Sequence, residues 1–162
     1  SGIVGEMSLA RNYLLRHSER RTLVRHGLVR AGSLQRLVRE RLALFDVRAR
    51  AADERIDRLS GGNQQKFVLA REMDGDPRLI LAAHPSRGLD IKTIRFVHGL
   101  LDEARRAGKA VLLVSSDLDE ILRLADRIMV FAGGRTFGPT RRFDIARDEI
   151  GGWIAGHATA PA

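Results

Sequence analysis

The chain has 162 residues, 44% of them hydrophobic, which is material for one modest domain with one core, since domains usually run to about 100–200 residues. No uncharged run of roughly 18 apolar residues occurs, so no bilayer-spanning helix is expected, and the lack of cysteine excludes disulfides and thiolate metal sites and suits a cytoplasmic setting. The formal charge of +8 admits nucleic acid, an anionic membrane face or phosphate ligands as partners.

The chain opens Ser1-Gly2-Ile3-Val4-Gly5, with neither an initiator methionine nor a charged-then-apolar leader, and reads as a truncated piece. Residues 7–16 set Leu9, Tyr13 and Leu14 at helical spacing. Residues 18–32 are arginine-rich with two glycines and no sustained period, which predicts a mobile connection. Ser33 is the expected N-cap of a helix through Phe45, with Leu34, Leu37, Val38, Leu42 and Phe45 as its apolar stripe. The arginines before residue 60 read as a solvated face, and 5% aromatic content offers few stacking platforms for nucleic-acid bases.

Ser60 precedes a helix expected to run to about Met73, stopped by Gly75 and Pro77. The apolar runs 79–82 and 111–114 suit strands buried on both faces of a parallel sheet. Between them a helix beginning after Asp90 and ending at Gly108 should turn Ile91, Ile94, Val97, Leu101 and Ala104 inward, which makes a strand-helix-strand crossover. Asp117 with Glu120 has the form of a capping box for a helix over 118–125. Residues 128–131 and 135–137 flank a Gly133-Gly134 turn as a hairpin, and short helices around Ile145, Ile150 and Trp153 should lead to a frayed tail.

Two adjacent glycines after Ser60 leave backbone amides unobstructed at a helix N-terminus, where unpaired N–H groups and the helix dipole attract anions, phosphate above all. A plain serine cap would explain Ser-Gly-Gly alone. The full run Leu59-Ser60-Gly61-Gly62-Asn63-Gln64-Gln65-Lys66 resembles the signature of ABC-transporter ATP-binding subunits, in the form found in bacterial importers of simple sugars and nucleosides. The order continues with Asp76-Pro77-Arg78, an apolar strand, Pro85-Ser86-Arg87-Gly88-Leu89-Asp90, the crossover helix, and Val114-Ser115-Ser116-Asp117-Leu118-Asp119-Glu120.

The resemblance implies an α/β fold: a partial ABC-type P-loop ATPase core with a parallel sheet, a helical subdomain and a C-terminal β-hairpin. It divides the chain into a helical subdomain with the signature helix over 1–75, the second part of the α/β core over 76–140, and short helices with a tail over 141–162. Ser60, Gly61 and Gly62, with Asn63 and Gln64, would meet the γ-phosphate of Mg-ATP held mainly by a second cassette. Ser86, Arg87, Gly88, Leu89 and Asp90 would form a loop crossing the dimer interface, although Asp90 is also a plausible helix N-cap. The implied partners are that second cassette, a membrane permease and, indirectly, a solute-binding lipoprotein, at the cytoplasmic face of the membrane; nucleic acid is not expected.

Three departures bear on catalysis. No G-x-x-x-x-G-K-[ST] run occurs to cradle a triphosphate, and Gly108-Lys109 reads as a helix end. The strand that in the family ends Asp-Glu-Pro ends Ala83-His84-Pro85, so Ala83 cannot hold magnesium's water shell and His84 poorly replaces the carboxylate that polarises the attacking water. Ser116 stands where active members have a histidine. This pattern resembles the C-terminal cassette of the nucleoside-type, basic-membrane-protein-linked subgroup, with one competent and one degenerate site. No intact catalytic residue is therefore expected, nor a metal site, since His17, His26, His98 and His157 lack ligand spacing. Two other readings stay open: a non-catalytic regulatory or dimerisation piece of such an ATPase, and a basic nucleic-acid-binding module.

Overall fold

The computed structural model describes residues 2–155, so Ser1, His157 and the expected tail from 156 lie outside the described residues. The chain forms two compact units: residues up to 80 with 86–110, and residues 81–85 with those from 111 on.

In the first unit α1 (Leu9–His17) starts at Ser8, whose hydroxyl accepts the Arg11 amide and so satisfies one of the orphan donors of the first turn. Leu9, Ala10 and Tyr13 enter the core. Asn12 is buried beside them and ties down the opening segment: its Oδ1 accepts Val4 N at 2.8 Å and its Nδ2 donates to Val4 O at 2.9 Å. The stretch expected to be a mobile connection is instead a small hairpin, β1 (Val24–Arg25) against β2 (Leu28–Val29). His26 and Gly27 both take positive φ, the conformation that a two-residue hairpin turn requires, and strands of two residues are too short to show a period. Helix α2 (Ala31–Leu44) begins earlier than its expected serine cap. Arg30 occupies the N-cap without a side-chain bond, so Ser33 lies inside the first turn, while Leu34, Val38 and Leu42 are buried as the stripe predicts.

A buried carboxylate joins these helices to α3 (Gly61–Glu72). Asp74 accepts the Tyr13 hydroxyl, sits 2.5 Å from an Arg20 nitrogen and 2.9 Å from one of Arg41, and its side chain is 4% exposed. Burial pushes its pKa up, but the Tyr13 and Arg20 hydrogen bonds and the two guanidinium charges outweigh burial and hold it below the usual carboxylate value. His17 is held below its ordinary value by burial first and by Arg20, against the Arg71 carbonyl 2.9 Å from its Nε2. In both cases the unfolded chain binds the proton more readily, so stability is present at neutral pH and is lost as pH falls, first below about 6.5 and again below about 4. Urea midpoints measured from pH 7 to pH 3 should fall in that order, and His17→Gln should shrink the first step while leaving the second.

Strand β3 (Leu79–Ala83) pairs in parallel with β4 (Ala110–Val114), with Ala110 N donating to Arg78 O and His84 N to Val114 O. The expectation that both faces are buried is overturned. Alternate residues Leu79, Leu81, Leu112 and Val114 are 46–67% exposed, because no described element covers that face of the pair. The crossover helix α4 (Ile91–Arg106) buries Val97, Leu101 and Ala104 as expected, together with Thr93 and His98. Ile91 is 70% exposed, since as the first helical residue it precedes the turn that reaches the core.

In the second unit the Asp117 carboxylate accepts the amides of Asp119 and Glu120 and starts α5 (Leu118–Leu124). Strands β5 (Arg127–Ala132) and β6 (Arg135–Arg141) extend the expected hairpin around Gly133-Gly134, both at positive φ. Trp153 of α6 (Arg147–Ile154) stacks on Phe137 at 5.6 Å, which closes a core with Ile128, Val130, Ile145 and Ile150.

Candidate functional site

Ser60 holds the N-cap position of α3 with extended backbone, yet its side chain caps no amide. Its hydroxyl instead accepts Asn63 Nδ2 at 2.9 Å. The helix's backbone ladder begins with Gln64 N donating to Ser60 O, so the amides of Gly61, Gly62 and Asn63 precede the first intrahelical bond and lie at the positive end of the helix dipole.

The two glycines differ. A β-carbon added at Gly61 would meet nothing within 4 Å, and its φ is not positive, so no contact inside the chain requires a glycine there. A β-carbon at Gly62 would lie 2.9 Å from Thr93 Oγ1, closer than real side chains pack, and 3.4 Å from Asp90 Oδ2. Gly62 is therefore needed by its neighbours in the fold, whereas the surface at Gly61 is bare.

The rest of the run is engaged within the chain. Asn63 Oδ1 accepts the Arg48 amide at 2.8 Å and Gln64 Nε2 donates to Leu59 O at 3.0 Å. Lys66, the last residue of the run, is buried. Its Nζ donates to Asp46 Oδ2 at 2.7 Å and Asp46 O at 2.9 Å and lies 5.0 Å from the Phe96 ring centre. Asp46 takes a positive φ just past α2, and the Lys66 hydrogen bond and charge hold its carboxyl below the usual value. This bolt joins α2, α3 and α4. The lysine was visible in the motif, but its acceptor belongs to another helix end and could not be read from spacing.

The loop over 86–90 turns with Leu89 N donating to Ser86 O and Gly88 at positive φ, then ends in the expected N-cap. Asp90 Oδ1 accepts Thr93 N and Oδ2 accepts Thr93 Oγ1, both at 2.9 Å, and these bonds lower its pKa. The structure thus brings Asp90 against Gly62, through the Thr93 side chain that sequence reading did not single out. Arg87 and Gly88 are exposed.

Ala83, His84 and Ser116 are exposed at the C-terminal ends of β3 and β4, with His84 in the left-handed region at φ 47°. These three side chains supply no carboxylate, and Asp117 beyond them is engaged in capping α5, so the strand ends do not fit a magnesium ion. Among the described residues no group of three or more His, Asp or Glu could hold a metal, and no helix is long and apolar enough to cross a membrane.

No protein-family model matches the sequence. The chain is 39% identical over 96% of its length to the guanosine import ATP-binding protein NupO of Bacillus subtilis. It is 38% identical over 93% to the nucleoside import ATP-binding protein NupA of Lactococcus lactis, and 40% identical over 98% to the ribose import ATP-binding protein RbsA 2 of Streptomyces avermitilis. It spans only 30–31% of the length of these relatives. A solved ABC transporter in an inward-facing conformation superposes with a TM-score of 0.75 at 18% identity, covering 93% of this chain and 59% of that one. The dimeric bacterial ABC cassette MJ0796 superposes at 0.64 and 24% identity, covering 85% and 59%. The fold is that of ABC ATPase cassettes.

Proposed function

From the premise that this chain is homologous, over most of its length, to the ATP-binding proteins of nucleoside and ribose ABC importers, we propose that it presents its signature, Ser60 to Gln64, to ATP held by a partner cassette. The bare, unobstructed surface at Gly61 beside three uncommitted amides is the observation that supports this reading most. The γ-phosphate would lie against the Gly61 and Gly62 amides, and Asp90, through Thr93, would keep the 86–90 loop in register with them. When bound, Mg-ATP supplies the cleavable phosphoanhydride and its hydrolysis. This chain's part is to close over the phosphate, exclude water and couple closure to a permease at the cytoplasmic face of the membrane, with a solute-binding lipoprotein acting further upstream. A nucleoside or simple sugar is the proposed cargo.

Ala83, His84 and Ser116 favour a second reading for the chain by itself, that of a dimerisation or regulatory piece that turns over no ATP. The chain alone should show no Mg-ATP hydrolysis above background. A chimera in which it replaces the homologous segment of the Bacillus subtilis guanosine import protein should sustain guanosine uptake. Robust hydrolysis by the isolated chain contradicts the degenerate-site assignment, and a folded chimera without uptake contradicts the signature assignment.

A further inference from the structure

Beside the signature lies an open groove of about 440 Å³ whose lining includes Arg48, Arg50, Glu54, Arg58, Ser60 and Asn63. A second hollow of about 310 Å³ shares Arg50, Glu54 and Arg58 and prolongs it.

The groove is strongly basic, with Asp46 within electrostatic reach of Arg48 and Asp57 within reach of Arg58. None of Arg48, Arg50 or Arg58 makes an ion pair among the described residues, whereas Arg16, Arg20, Arg41, Arg55 and Arg71 each have a carboxylate within 4.0 Å. The one carboxylate lining the groove, Glu54, already accepts the Arg50 amide at 2.6 Å.

The arginines are also held in place relative to the signature. Asn63 bridges the two: Oδ1 accepts the Arg48 amide and Nδ2 donates to Ser60 Oγ, so one side chain latches the arginine loop to the serine of the run. Arg58 is fixed from the other side, in a 3-10 turn over Ile56–Arg58 that ends directly at Leu59, with Ile56 fully buried. An amide side chain spent on such a latch gives the groove and the signature a common frame.

We propose that Arg48, Arg50 and Arg58 form a polyphosphate-binding rim continuous with the signature, taking the anionic chain of a nucleoside triphosphate, with Asn63 as its positioning residue. The proposal rests on the signature reading above. Planar guanidinium groups suit phosphate oxygens, which they can bind bidentately. A ligand spanning the groove and the Gly61 amides would meet the three arginines as well as the signature amides, which a single phosphate is too small to do.

The test uses the whole chain, labelled with nitrogen-15 and titrated with sodium tripolyphosphate, ATP, adenosine and a short single-stranded oligonucleotide at fixed salt. Tripolyphosphate and ATP should move the amides of residues 48–50 and 58–63, and adenosine should not. Arg48→Gln/Arg50→Gln/Arg58→Gln together should weaken tripolyphosphate at least tenfold and Asn63→Ala several-fold, while Arg21→Gln/Arg25→Gln/Arg36→Gln, with the same charge change, should leave it within twofold. Equal losses in both triple variants would assign the binding to general charge and overturn the rim, as would oligonucleotide binding tighter than tripolyphosphate at the same residues. If the Gly61 and Gly62 amides still respond to ATP while the groove variants bind as wild type, the rim falls and the signature reading stands. If no residue responds to either phosphate ligand, both fall.

Discussion

Gly61→Asp should abolish guanosine uptake by the chimera while leaving the chain folded. Gly61 is the first residue of α3, and a side chain there meets nothing within 4 Å. An aspartate in the first helical turn also complements the dipole, so folding stability should be unchanged or higher by up to about 1 kcal/mol. Function responds with the opposite sign. A carboxylate roughly 4 Å from a phosphate charge is repelled by about 4 kcal/mol at an effective dielectric constant of 20, which weakens association about a thousandfold. The two readouts separate the roles: a urea midpoint at or above wild type with no uptake supports an external phosphate at Gly61, whereas wild-type uptake by a folded Gly61→Asp chimera removes it.

Asp74→Ala should be the most damaging single change to the fold, lowering stability by about 3 kcal/mol. The carboxylate is almost wholly buried, and it gathers the hydroxyl of Tyr13 and two guanidinium groups from different parts of the first unit. Removing it leaves the Tyr13 hydroxyl without its acceptor and the arginines without their counter-charge. About a third of each arginine remains in contact with water, which places the effect at the lower end of the range for broken buried pairs. The thermal midpoint should fall by about 10 °C in a chain of this size. Asp119→Ala, which breaks the exposed pair with Arg147, should leave the thermal midpoint close to that of the wild type, because solvent screens such a pair. A similar loss in both variants would show that the Asp74 cluster contributes no more than a surface pair.

Local code explains what could be read in advance. Asp90 and Asp117 announce their helices because a cap bonds amides two or three residues away, and Gly133-Gly134 announces its turn because the backbone there demands positive φ. The start of α2 was misplaced because Arg30 caps by backbone alone, which leaves no side-chain signature. The β1–β2 hairpin carries no local turn signal because His26, rather than asparagine or glycine, takes the first left-handed position of its turn. The role of Asp74 was hidden because Tyr13, Arg20 and Arg41 reach it from segments far apart in sequence. The candidate site divides in the same way. The run from Ser60 to Gln64 was legible as a local motif, but the difference between its glycines depends on Thr93, and the use of Asn63 depends on Arg48.

The uncovered side of the β3–β4 pair bears on how the isolated chain behaves as a solute. Leu81, Leu112 and Val114 present an exposed apolar strip with strand edges beside it, the kind of surface through which sheets stack and chains associate. The excess positive charge opposes such encounters only over a Debye length, about 30 Å at 0.01 M salt and about 8 Å at 0.15 M. Dilute, low-salt buffer should therefore keep the molecules apart, and raising the ionic strength or the concentration should increase light scattering as the strips associate. For this chain, colloidal behaviour and folding stability are set by different residues and respond to different additives.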